Sequence, residues 1–244
     1  VEQLKYASEG LRIFEAHYAE SHPVRILTYG SAAYALMQLG RYDESLDLLD
    51  KGLRAAETHL GERNHTTAQV LETRAITRLM NEDYAGALAD IERATSIRRV
   101  FFGNEALPVI EGRVLLADIY YEAGSYERAE SVARECLEGF AKLGVEKNPS
   151  LVDAHFLIAK VAARAGRSDA QEHYAATDAA DLDQDDARYR KQAARLREAE
   201  FIAAGGDTKR AQELATLLLA DLPDPEGNDA FIAAFARRLL EDVP

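Results

Sequence analysis

A single cysteine, Cys136, is all that this chain of 244 residues contains, so no intrachain disulfide framework can hold it together. Proline is scarce at six, and Pro23 and Pro108 lie outside the middle of the apolar-periodic runs, so long helices are permitted. No apolar run approaches the roughly 20 residues of a membrane span, and no signal-peptide pattern opens the chain. The expected setting is cytoplasmic, with no membrane contact. Basic charge is also short: 29 lysines and arginines stand against 42 aspartates and glutamates, a formal net charge of −13. Such a balance repels phosphate and anionic lipid, and no lysine and arginine run offers the counterion release that nucleic-acid binding needs. Nucleic acid is therefore not an expected partner.

Enzyme signatures are missing as well. There is no phosphate-cradling glycine loop and no nucleophile elbow. Of the six histidines, His17 and His22 are five apart, and His59 and His65 are six apart. Neither spacing sets two imidazoles on one helix face, so His155 and His173 included, structural roles are expected rather than metal ligation. The acidic run from Asp181 to Asp186 has the look of a calcium loop. It lacks the glycine at its sixth place and has Gln192 where a bidentate glutamate is needed, so it reads as a solvated loop whose last aspartates cap the next helix. No catalytic residue, cofactor or metal is expected.

What the chain does have is a period. Small residues fall at Gly10, Gly52, Ala94 and Cys136, alanines at Ala33, Ala75, Ala117 and Ala159, and tyrosines at Tyr42, Tyr84 and Tyr126. Gly40, Gly124 and Gly166 run on a parallel track, and every series has a spacing of 42 or its double. A fixed period of about 20–50 residues marks a solenoid, in which each unit buries its apolar face against its neighbours. Cys136 is then a small apolar packing residue. The units read as helix pairs over 23–61, 66–103, 108–144, 150–180 and 186–221, with a capping helix over 228–242 that starts at Asn228 and carries Phe231, Ile232, Phe235, Leu239 and Leu240. The fifth pair is shifted, because Gly206 follows Gly166 by 40 residues. Gln171 and Asp178 stand where small residues are expected, which predicts looser packing in the fourth pair. Residues 4–22 match the second helix of a unit whose first helix is missing, so the single repeat domain of 1–244 is expected to be part of a longer protein.

These residues resemble the tetratricopeptide repeat in its 42-residue form, found in kinesin light chains and many bacterial regulatory proteins. The matching pieces are Ala33 to Gly40-x-Tyr42, Ala75 to Tyr84-x-x-Ala87, and Leu116-Ala117-x-x-Tyr120-x-x-x-Gly124-x-Tyr126-x-x-Ala129, with the His22-Pro23 junction beside them. The resemblance implies an all-α fold, a right-handed α-solenoid of antiparallel helix pairs with a C-terminal capping helix. On the first helix of each pair, the face set by the alanine series is packing, although Arg74 and Arg78 occupy it in the second pair. They are expected to snorkel outward or to pair with acidic neighbours.

The adjacent stripe is the one that lines a peptide-holding concave groove in the resembled family. Here it reads Leu27, Gly30, Tyr34, Met37, then Gln69, Glu72, Ile76, Leu79, then Glu111, Val114, Asp118, Tyr121, then Asp153, Phe156, Lys160, Ala163. From it come the expected groove residues Tyr34, Met37, Glu72, Ile76, Val114, Asp118, Tyr121, Phe156 and Lys160. An apolar and aromatic floor ringed by carboxylates suits an amphipathic or basic segment of a protein or peptide partner. Capture of a chaperone's terminal carboxylate is not expected, because only Lys160, Arg164 and Arg197 are positive there. The leading expectation is a non-catalytic interaction module of a larger bacterial-type regulatory or signalling protein. The alternative is a structural scaffold that forms a homodimer or spaces other domains.

Overall fold

The computed structural model describes residues 2–19, 21–179, 185–205, 207–222 and 230–241, and every regular element among them is an α-helix. The chain divides into two compact units, residues 1–128 and 129–244.

The first unit contains α1 (Glu2–His17), α2 (Pro23–Gln38), α3 (Tyr42–Leu60), α4 (His65–Met80), α5 (Tyr84–Phe102) and α6 (Leu107–Glu122), and ends in the first residues of α7 (Tyr126–Leu143). Local chemistry sets the helix starts. Pro23 opens α2, where its missing N–H has no helical partner to lose, and the His22 imidazole accepts from the Val24 N–H at 3.2 Å. Asn64 caps α4 by accepting from the Thr66 N–H at 2.8 Å, and Asp83 caps α5 through Gly86 at 3.0 Å. The period's tyrosines, Tyr42, Tyr84 and Tyr126, each begin the second helix of a pair.

Each helix packs on the next, and α4 also packs on both α2 and α6. First helices therefore lie side by side, as stacked repeats require. Ala33, Ala75 and Ala117 sit at these contacts with no exposed surface, around a core that includes Leu49, Leu71 and Ile91. The small-residue slot has a steric cause at Gly52, where a Cβ would stand 3.2 Å from the Tyr29 Cβ. Ala94 and Cys136 fill the same slot and are wholly buried.

The turn between paired helices needs a left-handed residue. Gly40 and Gly124 supply it, with φ of 71° and 78°. One period after Gly40 the glycine track lapses, and Glu82 adopts φ 61°, the one non-glycine residue with positive φ among the described residues. An L side chain there strains against its own backbone by about 1–2 kcal/mol. Glu82→Gly is therefore expected to stabilise the first unit by about 1 kcal/mol after the entropy of the unfolded glycine is subtracted. Thermal unfolding should show a rise of about 2–4 °C, and a fall would contradict the assignment.

The second unit continues α7 and adds α8 (Pro149–Arg164), α9 (Asp169–Ala179), α10 (Asp185–Ala204), α11 (Thr208–Asp221) and α12 (Ala230–Glu241). Here α10 packs on α8, and α12 packs on both α10 and α11, so the last helix takes the place of a further first helix. Ala233 and Ala236 of α12 join Leu196, Ala215, Leu218 and Leu222 in one apolar cluster, with Leu239 and Leu240 at its edge. Asn228, Gly206 and residues 181–184 of the acidic run lie outside the described residues, as do the side chains of Asp178, Phe231, Ile232 and Phe235.

In α9 the repeat register slips by one residue. Gln171 is exposed, while Ala170 and Thr177 are fully buried and Tyr174 nearly so. Small residues thus still meet α8, one position earlier than the period places them. Across the same α8–α9 contact the His155 and His173 rings meet, Nδ1 to Nδ1 at 3.0 Å, one donating its N–H to the other's bare nitrogen.

Burial, then the nearby His173, pushes the His155 pKa down to about 4, and burial, then Arg134, lowers that of His173. Between the unfolded value of 6.5 and the folded value the unfolded chain binds more protons, so stability falls as pH drops through that window. The urea midpoint of the second unit should be lower at about pH 5 than at about pH 7. His155→Phe should flatten that difference, and an unchanged slope would remove His155 as its source.

Candidate partner-binding cleft

A cleft of about 390 Å³ opens between α2 and α4, lined by Leu27, Gly30, Ser31 and Tyr34 from one helix and Gln69, Val70 and Thr73 from the other. Gly30 has no side chain and open space above it, which leaves room between the flanking residues. Tyr34 is 45% exposed and Leu27 is 38% exposed, large apolar surfaces left uncovered at the cleft. The hydroxyl of Ser31 donates to the Leu27 carbonyl at 3.4 Å, and that of Thr73 to the Gln69 carbonyl at 3.1 Å. Both are bonded within their own helices. No side chain of the lining is charged.

The expected groove residues fall in several different environments. Tyr34 lines the cleft, whereas Met37 and Val114 are buried in the core, because α4 is flanked by α2 and α6 and the stripe's edges are covered. Ile76, Asp118 and Tyr121 are half-buried, with Tyr121 edge-on to Tyr126 at 5.3 Å between ring centroids. In the second unit Phe156 packs against Tyr174 at 6.2 Å, and the Lys160 ammonium lies 5.3 Å from the Phe156 ring centroid. Phe156 is thereby part of the α8–α9 contact, while Lys160 lies over it from one turn further along α8. Arg197 is exposed and donates to Glu200 at 2.7 Å.

Glu72 is engaged by a buried arginine. Its carboxylate receives both Nη1 and Nη2 of Arg98, an arginine only 7% exposed that also donates to the Pro108 carbonyl at 3.2 Å. Nearby, Arg74 and Arg78 do not snorkel outward. Arg74 donates to both oxygens of Asp90, at 2.6 and 2.8 Å, and to Asp50 at 2.6 Å, while Arg78 donates to Asp90 at 2.8 Å. Asp90 is 4% exposed. Burial alone works against the Arg74 charge, but Asp90 and Asp50 outweigh it and raise its pKa. Charges on the packing face are thus matched inside the helix stack rather than offered to a partner.

Sequence reasoning missed three apolar side chains at the end of α5. Val100, Phe101 and Phe102 are 67%, 54% and 49% exposed, and Phe102 meets His65 of α4 edge-on at 5.9 Å. An exposed aromatic pair at the close of a second helix has no place in the 42-residue pattern, and their consecutive positions in the chain were the available signal. Among the described residues, no group of three or more His, Cys, Asp or Glu could hold a metal, and no helix is long and apolar enough to cross a membrane.

Comparison with known proteins agrees with this architecture. Family models described as tetratricopeptide repeat match residues 7–99 and 110–138, together half of the chain. No curated protein matches. Among solved structures, BtubC (BKLC) from P. vanneervenii is similar over 100% of this chain and 92% of its own, with a TM-score of 0.68 at 17% identity. The kinesin light chain nearly identical TPR-like repeats of Podosopora anserina cover 82% of this chain and 95% of theirs, with a TM-score of 0.62 at 18% identity. The apo form of RapI covers 98% and 77%, with a TM-score of 0.58 at 14% identity. At these identities the structural likenesses speak for the fold. With its 42-residue helix pairs, buried alanine series and matching family models, this chain belongs to the tetratricopeptide repeat family and is a protein-interaction module.

Proposed function

We propose that the chain holds a segment of a partner protein in the α2–α4 cleft, without catalysing a reaction, as a module of a larger bacterial regulatory or signalling protein. The observation that carries the reading is Tyr34, a large side chain 45% exposed beside Leu27 and Val70 in a cleft with no charged lining residue. Aromatic side chains beside a pocket contribute a disproportionate share of binding energy, because they bury wide area with few rotatable bonds. A partner segment with an apolar face would cover Tyr34 and Leu27 together. The likeness of the repeats to those of bacterial regulators supports the setting.

The test is a peptide array followed by titration of the strongest binder. Tyr34→Ala is expected to weaken binding about ten-fold or more. The melting temperature should stay unchanged, since the side chain packs little of the core. Undiminished binding by Tyr34→Ala and by Leu27→Ser would place the partner elsewhere on the chain.

A further inference from the structure

We propose that His65 and Phe102 extend the uncharged cleft into a longer track, and that this track takes an extended, uncharged segment with two apolar side chains four residues apart. The proposal rests on the cleft reading above and names the chemistry of its occupant. His65 precedes Gln69 by one helical turn and so continues the same face of α4. Phe102 stands against it, 49% exposed, and offers a second apolar anchor beyond Tyr34.

From Thr73 to His65 the helix rises about 12 Å. An extended chain covers that distance in about four residues, and side chains four apart on a strand point the same way. One anchor would then sit by Tyr34 and the other by Phe102. Between them lies Gln69, whose side-chain amide, like the Tyr34 hydroxyl, has no hydrogen-bond partner among the described residues. A carboxamide offers an acceptor and two donors, the complement of a backbone N–H and C=O. An extended segment has those groups free, whereas a helical one has already used them.

The absence of charge decides the rest. Ser31 and Thr73 turn their hydroxyls back onto their own helices, and the α2–α4 cleft is lined by no Asp, Glu, Lys or Arg. A lysine or glutamate held over Gln69 would lose water without gaining a counter-charge. The net charge of −13 attracts basic segments only at long range, and salt screens that attraction.

Two pools of synthetic ten-residue peptides test this, with Leu or Phe at positions three and seven and either Ser, Thr and Gln or else Lys at the three positions between. Titrated at about 0.3 M salt, where long-range attraction is screened, the neutral pool should bind about ten-fold tighter than the lysine pool. Gln69→Leu and Phe102→Ser should each weaken it about five-fold while leaving the melting curve unchanged. Equal or tighter binding by the lysine pool, still lost in Tyr34→Ala, overturns the uncharged track while the cleft reading stands. Neutral binding that ignores both Gln69→Leu and Phe102→Ser overturns it too. Binding indifferent to Tyr34→Ala, or none by either pool, removes both.

Discussion

Asp90→Ala is expected to destabilise the first unit by about 3–5 kcal/mol, the usual result of removing one partner from a buried ion pair. The carboxylate is 4% exposed and receives three donors, two from Arg74 and one from Arg78. Without it two guanidinium groups one turn apart on α4 lose the carboxylate they share, and Asp50 alone remains on Arg74. Asp90→Asn keeps an acceptor but not the charge, and should fall between. Stacked repeats open in parts as well as globally, so the measurement pairs urea denaturation with native-state hydrogen exchange over α4 and α5. A loss below about 1 kcal/mol would mean that the cluster behaves like an exposed surface bridge.

Glu72→Ala is the second large effect, about 3 kcal/mol, because it strands the charge of Arg98 inside the stack. Arg98 occupies a slot whose equivalents one period away are Ala56 and Phe140, both fully buried and apolar. The slot therefore accepts an apolar side chain, and Glu72→Ala combined with Arg98→Leu should recover most of the lost stability. Exchanging a buried pair for packed apolar groups is often neutral or better. The double-variant cycle separates two roles for Glu72. If it touched the partner, binding would fall in both the single and the double variant. If it serves Arg98, the folded double variant binds normally.

Glu72 also shows where reading along the chain stops. Its position on the stripe follows from helical arithmetic, but Arg98 lies 26 residues away on another helix, and no local pattern connects them. The same holds for His155 and His173, which are 18 apart and meet only because α8 and α9 pack together. Met37 and Val114 share a helix face with Tyr34 or its equivalents, yet neighbouring helices cover them and leave Tyr34 bare. Spacing assigns a side chain to a face. Exposure depends on what lies across from it.

The candidate cleft was legible in part for the same reason. Leu27, Gly30, Tyr34 and Gln69 were on the stripe, while Ser31, Val70 and Thr73 line the cleft one residue to the side, where α2 and α4 face each other. Phe102 escaped because its neighbour His65 belongs to a different helix. In α9 the period overreached: it names Gln171, but the packed residue is Ala170, since a helix can rotate by one position to keep small groups at the contact.

By itself the sequence determined that this chain is all helix, that the helices come in pairs, and which small residues bring them close. Those facts are local or periodic: a helix turn repeats every few residues, and each unit meets its neighbour through the same slot. Even the strained turn at Glu82 is implied by the glycine that the period requires there. Tertiary structure alone decided which charges are matched inside the stack, which stripe residues stay open, and that the open ones form an uncharged cleft. Those outcomes depend on contacts between helices far apart in the chain, where the free energy of burying a charge or covering a ring is set by the partner across the gap.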